Sequence, residues 1–201
     1  MENVVVSIFH IESEAFQAFS ELKQFVQTEN TKLAQASIVK AENGVINVKD
    51  SFDLMNSLGD DYFEGGLIGS LIGILGGPLG VLFGFATGGA IGASVGSDKE
   101  LINSALITTV SKKLTNGEVA IIALVQENDE SVLNAIFEKY QVDIARWDVA
   151  TVAAEIESAL KIQEDIEHQA KARLIADKKE ARREKFDKLK ANIKEKFSKK
   201  N

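Results

Sequence analysis

The sequence predicts an α+β fold: a ferredoxin-like, split β-α-β sheet interrupted by a glycine-zipper helical hairpin and followed by a long, charged C-terminal α-helix. Three observations carry this. Short β-branched runs alternate with segments of helical apolar spacing. Twelve of the 15 glycines fall between residues 65 and 96, mostly four apart. From Thr151 to Lys199 there is neither proline nor glycine.

Val4-Val5-Val6-Ser7-Ile8-Phe9 reads as a buried strand. A helix follows, with Ser13 as its expected N-cap and Phe16, Phe19, Leu22 and Val26 as its expected buried face. Thr31 to Lys40 and Val45 to Phe52 read as strands joined through Asn43-Gly44, since both residues tolerate positive φ. Past the glycine segment, Ser97-Asp98-Lys99-Glu100 has the form of a capping box. It would open a helix with Leu101, Ala105, Leu106, Val110 and Leu114 on one face, stopped by Asn116-Gly117. Val119 to Val125 is a second buried strand, Ser131 to Tyr140 a short helix presenting Val132, Ala135 and Ile136, and Val142 to Val149 a last strand. The order β-α-β-β-α-β plus one α-β unit is that of a ferredoxin-like sheet, expected to carry its helices on one face. The expected segments are 1–63 and 98–150 for the two halves of the α+β domain, 64–97 for the hairpin and 151–201 for the terminal helix.

Residues 65–97 contain no charged side chain. Gly65, Gly69, Gly73 and Gly77, then Gly80, Gly84, Gly88, Gly92 and Gly96, step by four. On a helix each glycine then sits nearly above the last, drifting by about 40° per step, and leaves a groove in which another helix can approach closely. Pro78 ends one helix and suits the first turn of the next, so two arms, about 65–76 and about 79–96, are expected to pack on each other or on other copies. At about 18 Å and 27 Å they fall short of a hydrocarbon core of ~30 Å, which favours a re-entrant or protein-buried hairpin over a two-pass span. Asp60, Asp61 and Glu64 precede the first arm and suit its N-terminus electrostatically better than they suit catalysis.

The net charge of −7 is uneven. Residues 1–160 hold 9 Lys/Arg against 22 Asp/Glu, and residues 161–201 hold 14 against 8. In the terminal helix Val152, Ile156 and Leu160 form one stripe and Ile162, Ile166, Ala170 and Leu174 another. Near its end Phe186, Leu189, Ile193 and Phe197 line one face, among basic residues that include Lys185, Lys190 and Lys194. A basic helix with such a stripe suits an anionic membrane surface or an acidic partner. Nucleic acid is not an expected partner, because acidic residues interrupt the basic run and the chain as a whole is acidic.

With no cysteine and two histidines, His10 and His168, the usual zinc clusters cannot be assembled, and a reducing compartment fits. No G-x-G-x-x-G, P-loop or nucleophile-elbow pattern occurs. The start, Met1-Glu2-Asn3-Val4, lacks the form of a secretory signal. The expectation is a non-enzymatic, membrane-associated, self-assembling protein that uses its glycine hairpin for helix packing or re-entrant insertion, cytoplasmic or on the cytoplasmic face of a membrane, with no catalytic, cofactor or metal site and no identified small-molecule substrate. Its partner would be itself, with an anionic membrane as a further one. Two alternatives are a homo-oligomeric scaffold or shell in solution, with hairpins packed protein to protein, and a small-ligand binder or enzyme using the open sheet face.

The leading Val-rich strand, Gly65-Gly66-Leu67-Ile68-Gly69, Gly77-Pro78-Leu79-Gly80, Gly92-Ala93-Ser94-Val95-Gly96 and Gly117-Glu118-Val119-Ala120 together resemble the bacterial and archaeal DUF1269 family. The resemblance covers about residues 1–150. It implies a prokaryotic source and a protein of unknown function, often labelled a membrane protein, and it transfers no active site.

Overall fold

A computed structural model describes residues 1–54, 66–80 and 105–198. Five strands form one antiparallel sheet: β1 (Glu2–Phe9), β2 (Thr31–Glu42), β3 (Val45–Asp53), β4 (Val119–Glu127) and β5 (Val142–Asp148), in the order β3-β2-β4-β1-β5. The described helices are α1 (Glu12–Lys23), α2 (Leu67–Gly76), the single turn α3 (Pro78–Gly80), α4 (Leu106–Lys113), α5 (Ser131–Phe137) and α6 (Val149–Ser198). The chain divides into two compact units, Met1–Leu160 and Lys161–Asn201.

The strand between β1 and β2 is β4. The β2–β3 hairpin turns on Asn43 and Gly44, at φ 56° and 77°, and puts β3 on the outer edge. The units β1-α1-β2 and β4-α5-β5 therefore interleave. Strands β1 and β2 flank β4, and β4 and β5 flank β1.

Helices cover both faces of this sheet, not one. The sequence carries the reason: Val4 to Phe9 are all buried, as are Val119 to Ala123, and a continuous apolar run has no side to offer water. On the first face Val5, Phe9, Ala36, Ile38, Ile121 and Ala123 pack with Ala15, Ala18, Phe19 and Leu22 of α1 and Leu133 and Phe137 of α5. Side chains of opposite parity, among them Val4, Val6, Val39, Ala120 and Ile122, are buried on the second face. Helix α2 lies against β2, β3 and β4 and touches α4.

Several side chains depart from the expected faces. Helix α1 starts at Glu12 with Ile11 as an uncapped N-cap, so Ser13 lies inside the first turn. Phe16 is exposed because the strict core spacing belongs to Ala15, Ala18, Phe19 and Leu22, and Val26 is exposed because α1 ends at Lys23. In α5 the buried pair is Leu133 and Phe137, while Ala135 is exposed. In α6 the inner row ends on Ala159, not Leu160, which is 49% exposed. Residues 97–100, and Leu101 with them, lie outside the described residues.

The start of α4 has a cap that no local motif supplies. Ala105 caps it without a side-chain bond, and the Glu155 carboxylate on α6 accepts the N–H of Leu106 (3.1 Å) and of Ile107 (3.3 Å). Burial holds the Glu155 carboxyl above its ordinary 4.5, with the two N–H bonds pulling it back. The folded protein thus keeps this proton to higher pH than the unfolded chain. As pH rises from about 4.5 through the raised folded value, Glu155 should subtract stability. A Glu155→Gln variant should flatten that slope in urea titrations across pH 4–7, and an unaltered slope would contradict the assignment.

Candidate helix-packing surface

Helix α2 carries no charged side chain, and its two sides differ in size. At about 100° per residue, Ile68, Leu71, Ile72 and Leu75 share one side, and all are buried. Gly66, Gly69, Ser70 and Gly73 fall on the opposite side, where Gly73 is exposed and the other three are half-buried. The bulky side chains seat α2 on its own sheet, and the row of small residues faces outward.

The described glycines of the four-step run do two different things. A Cβ on Gly73 would meet nothing within 4 Å. Gly77 and Gly80 are confined by their own chain: a Cβ on Gly77 would lie 2.8 Å from the Gly73 carbonyl oxygen, and one on Gly80 would run into the Leu75 carbonyl. Gly77 is the C-cap of α2, and Pro78 opens α3. This is where the proline break was expected, with the turn tightened by backbone contacts that only glycine allows. Gly76 adds a close approach across elements, its Cβ position lying 3.2 Å from the Ile46 carbonyl oxygen on β3. Gly80→Ala is expected to lower the unfolding free energy by about 2 kcal/mol or more, since the obstruction is backbone and cannot rotate away. Gly73→Ala should instead raise it by about 0.5–1 kcal/mol in the monomer. Thermal melts of the two variants read the contrast directly.

Gly65, Gly84, Gly88, Gly92 and Gly96 lie outside the described residues, as do Asp60, Asp61 and Glu64. Phe186, Leu189, Lys190, Ile193, Lys194 and Phe197 are carried on α6, which is helical to Ser198; Lys185 is exposed. His168 is exposed on the same helix, and His10 follows β1, its Nδ1 2.9 Å from Glu118 Oε1.

The remaining polar clusters hold elements together. Glu118 accepts from the Thr115 N–H (2.6 Å) and hydroxyl (2.9 Å). Burial opposes its charge, but these bonds and His10 keep its carboxyl below the ordinary value. A surface groove between α1 and the end of α5 is lined by Phe16, Gln17, Ser20, Glu21 and Tyr140. There Lys139, then Tyr140, hold the Glu21 carboxyl low, which is the pattern of a surface ion pair. Sequence reading missed a buried pair on the first face, Glu127 with Arg146, whose strands are joined only through β1. Among the described residues no group of three or more His, Asp or Glu gathers as metal ligands, and no helix is long and apolar enough to cross a membrane.

No curated protein and no solved structure matches the chain. The family described as "Protein of unknown function (DUF1269)" matches residues 63–163, a stretch that takes in α2, α3, α4, β4, α5, β5 and the first turns of α6. That match covers half of the 201 residues, and the chain belongs to this family.

Proposed function

We propose that this is a non-enzymatic, self-assembling protein whose glycine-lined helices dock on helices of other copies. One observation carries the reading: α2 spends its large side chains on its own sheet and turns Gly66, Gly69, Ser70 and Gly73 outward. Glycine in a helix costs about 1 kcal/mol per residue relative to alanine. A helix that carries several on its outer side gains that back through close approach of another backbone, and at Gly73 no atom of its own chain stands in the way. The platform behind it is ferredoxin-like in this reading, with β1-α1-β2 and β4-α5-β5 as its two halves and β3 as an added edge; the interleaved strand order β2-β4-β1-β5 supports it.

A second reading places the assembly on the cytoplasmic face of a membrane. It is favoured by the absence of charge across residues 65–97 and by the basic end of α6, where Lys185, Lys190 and Lys194 accompany Phe186, Leu189, Ile193 and Phe197.

Gly73→Leu separates assembly from folding. The position has open space, so the monomer should keep its melting behaviour while the oligomer measured by sedimentation velocity dissociates. An oligomer of unchanged mass would refute the glycine contact. Flotation with anionic liposomes followed by a carbonate wash then sorts the settings. Retention after the wash supports an embedded hairpin, release supports attachment by the basic helix end, and failure to float supports assembly in solution.

A further inference from the structure

Helix α6 carries an apolar row that is buried at its start and becomes exposed past Ile162. Val152, Ile156 and Ala159 are buried, and the same side of the helix continues into Ile162, Ile166, Ala170 and Leu174. Beyond Leu160 that row is open: Ile166 is 43% and Leu174 58% exposed. Residues four apart form the ridge along which two helices most often interlock.

We infer that this ridge docks on the same ridge of a second copy, antiparallel, about a two-fold axis level with His168. The sequence is self-complementary about that point. Ile162 of one copy falls opposite Leu174 of the other, and Ile166 falls opposite Ala170, whose small side chain lets the axes close at the centre. The two-fold also sorts the charges. Asp165 and Arg173 lie on one flank of the ridge and Glu167 and Lys171 on the other, so each acid of one copy comes beside a base of its partner. Asp165 and Arg173 are eight residues apart, about 12 Å along one helix, and do not pair within it. The charge on either side of residue 168 selects this direction. Residues 161–167 carry three acidic side chains and one lysine, and residues 169–175, which fall opposite them, carry two basic side chains and no acidic one. Antiparallel pairing lays the acidic part of one copy on the basic part of the other, and parallel pairing would lay base on base.

This contact shares with the proposed function only that its partner is a second copy; it uses a different element and its test is independent. The chain has no cysteine, so single cysteines introduced by His168→Cys or Lys178→Cys into the full-length protein take a spin label at one site each. Antiparallel pairing places the 168 labels nearest each other. It adds about 3 Å of offset along the axis for every residue away from 168, hence about 30 Å of axial offset at 178. Equal short distances at both sites would mean a parallel pair and overturn the inference, as would the absence of any inter-copy distance. Charge exchange gives the second readout. Asp165→Arg and Arg173→Asp should each weaken the dimer roughly tenfold by sedimentation equilibrium, and the double variant should restore it. Lack of rescue overturns the register. Repeating the distances in the Gly73→Leu background separates the two contacts. Persistence there, with the larger oligomer lost, supports both. An oligomer that depends on Gly73 but shows no inter-copy distance at 168 removes the α6 contact alone. Distances that appear only with anionic vesicles would assign the ridge to lipid and overturn pairing between copies.

Discussion

Phe9→Ala should cost about 3–5 kcal/mol of unfolding free energy, a large share of the 5–15 kcal/mol typical of a domain. Phe9 closes β1 and is fully buried. Its ring stands edge-on to Phe137 of α5, centroids 6.2 Å apart at 66°, and lies 6.2 Å from Tyr140. Backbone pairing sets it between Val119 on β4 and Val142 on β5. Alanine there removes apolar burial, leaves a cavity that three elements would have to collapse into, and loses two aromatic contacts worth about 0.5–1.5 kcal/mol each beyond their area. The effect also reaches α1, because the Tyr140 hydroxyl donates to Glu21 Oε1 at 2.9 Å. In urea titrations the midpoint should fall with little change in slope, the mark of lost stability rather than of a changed denatured state. Phe9→Leu, which keeps most of the volume, should cost about 1–1.5 kcal/mol. A loss below about 1 kcal/mol for the alanine variant would show that this end of the core repacks freely.

The same region shows what a sequence discloses. Val4 to Phe9 and Val119 to Val125 announce buried strands through composition alone, and Asn43-Gly44 announces its hairpin because few residue pairs accept positive φ at both positions. Those signals are local. Strand order is not, since β1 pairs with β4 across more than a hundred residues and nothing in either strand names the other. Element order along the chain therefore leaves open which strand lies between β1 and β2. Helix faces were legible to within one residue. Phe16 and Phe19 both fit a loose apolar spacing, and only the sheet decides that Phe19 goes in and Phe16 stays out, with Ala15 and Ala18 making room. The cap on α4 was not legible because Glu155 sits 49 residues from Leu106. For the candidate surface, the glycine period predicts a helix with a row of small residues, but not which side of it lies on the sheet. That depends on Ile68, Leu71, Ile72 and Leu75 having a sheet beneath them. It also depends on the separate fact that Gly77 and Gly80 answer to their own backbone.

Arg146→Met should destabilise by about 3–5 kcal/mol, because it strands a buried carboxylate. Glu127, at the end of β4, has a side chain 1% exposed, and Arg146, on β5, is 14% exposed. Arg146 Nε donates to Glu127 Oε1 at 2.8 Å, and Asn3 Nδ2 of β1 donates to the same oxygen at 3.1 Å. The guanidinium reaches on to Asn134 Oδ1 at 2.7 Å and lies 3.5 Å from the Glu130 carboxylate, tying α5 to the sheet. Glu127 Oε2 is buried without a protein partner, as is the Thr31 hydroxyl of the residue paired with Glu127 on β2. The charge is thus held on one side only, and the arginine carries most of the compensation. Lysine should not replace it well, since a point charge on a flexible stem cannot serve the carboxylate and Asn134 together, so Arg146→Lys should still cost about 1–2 kcal/mol. The informative measurement is the double-mutant cycle with Glu127→Leu. Removing both charges exchanges a desolvated pair for apolar packing, a change that is often near neutral, so the double variant should be more stable than Arg146→Met alone. If the two single losses simply add, the pair is not coupled, and Arg146–Glu127 and Asn3–Glu127 are independent contacts rather than one network.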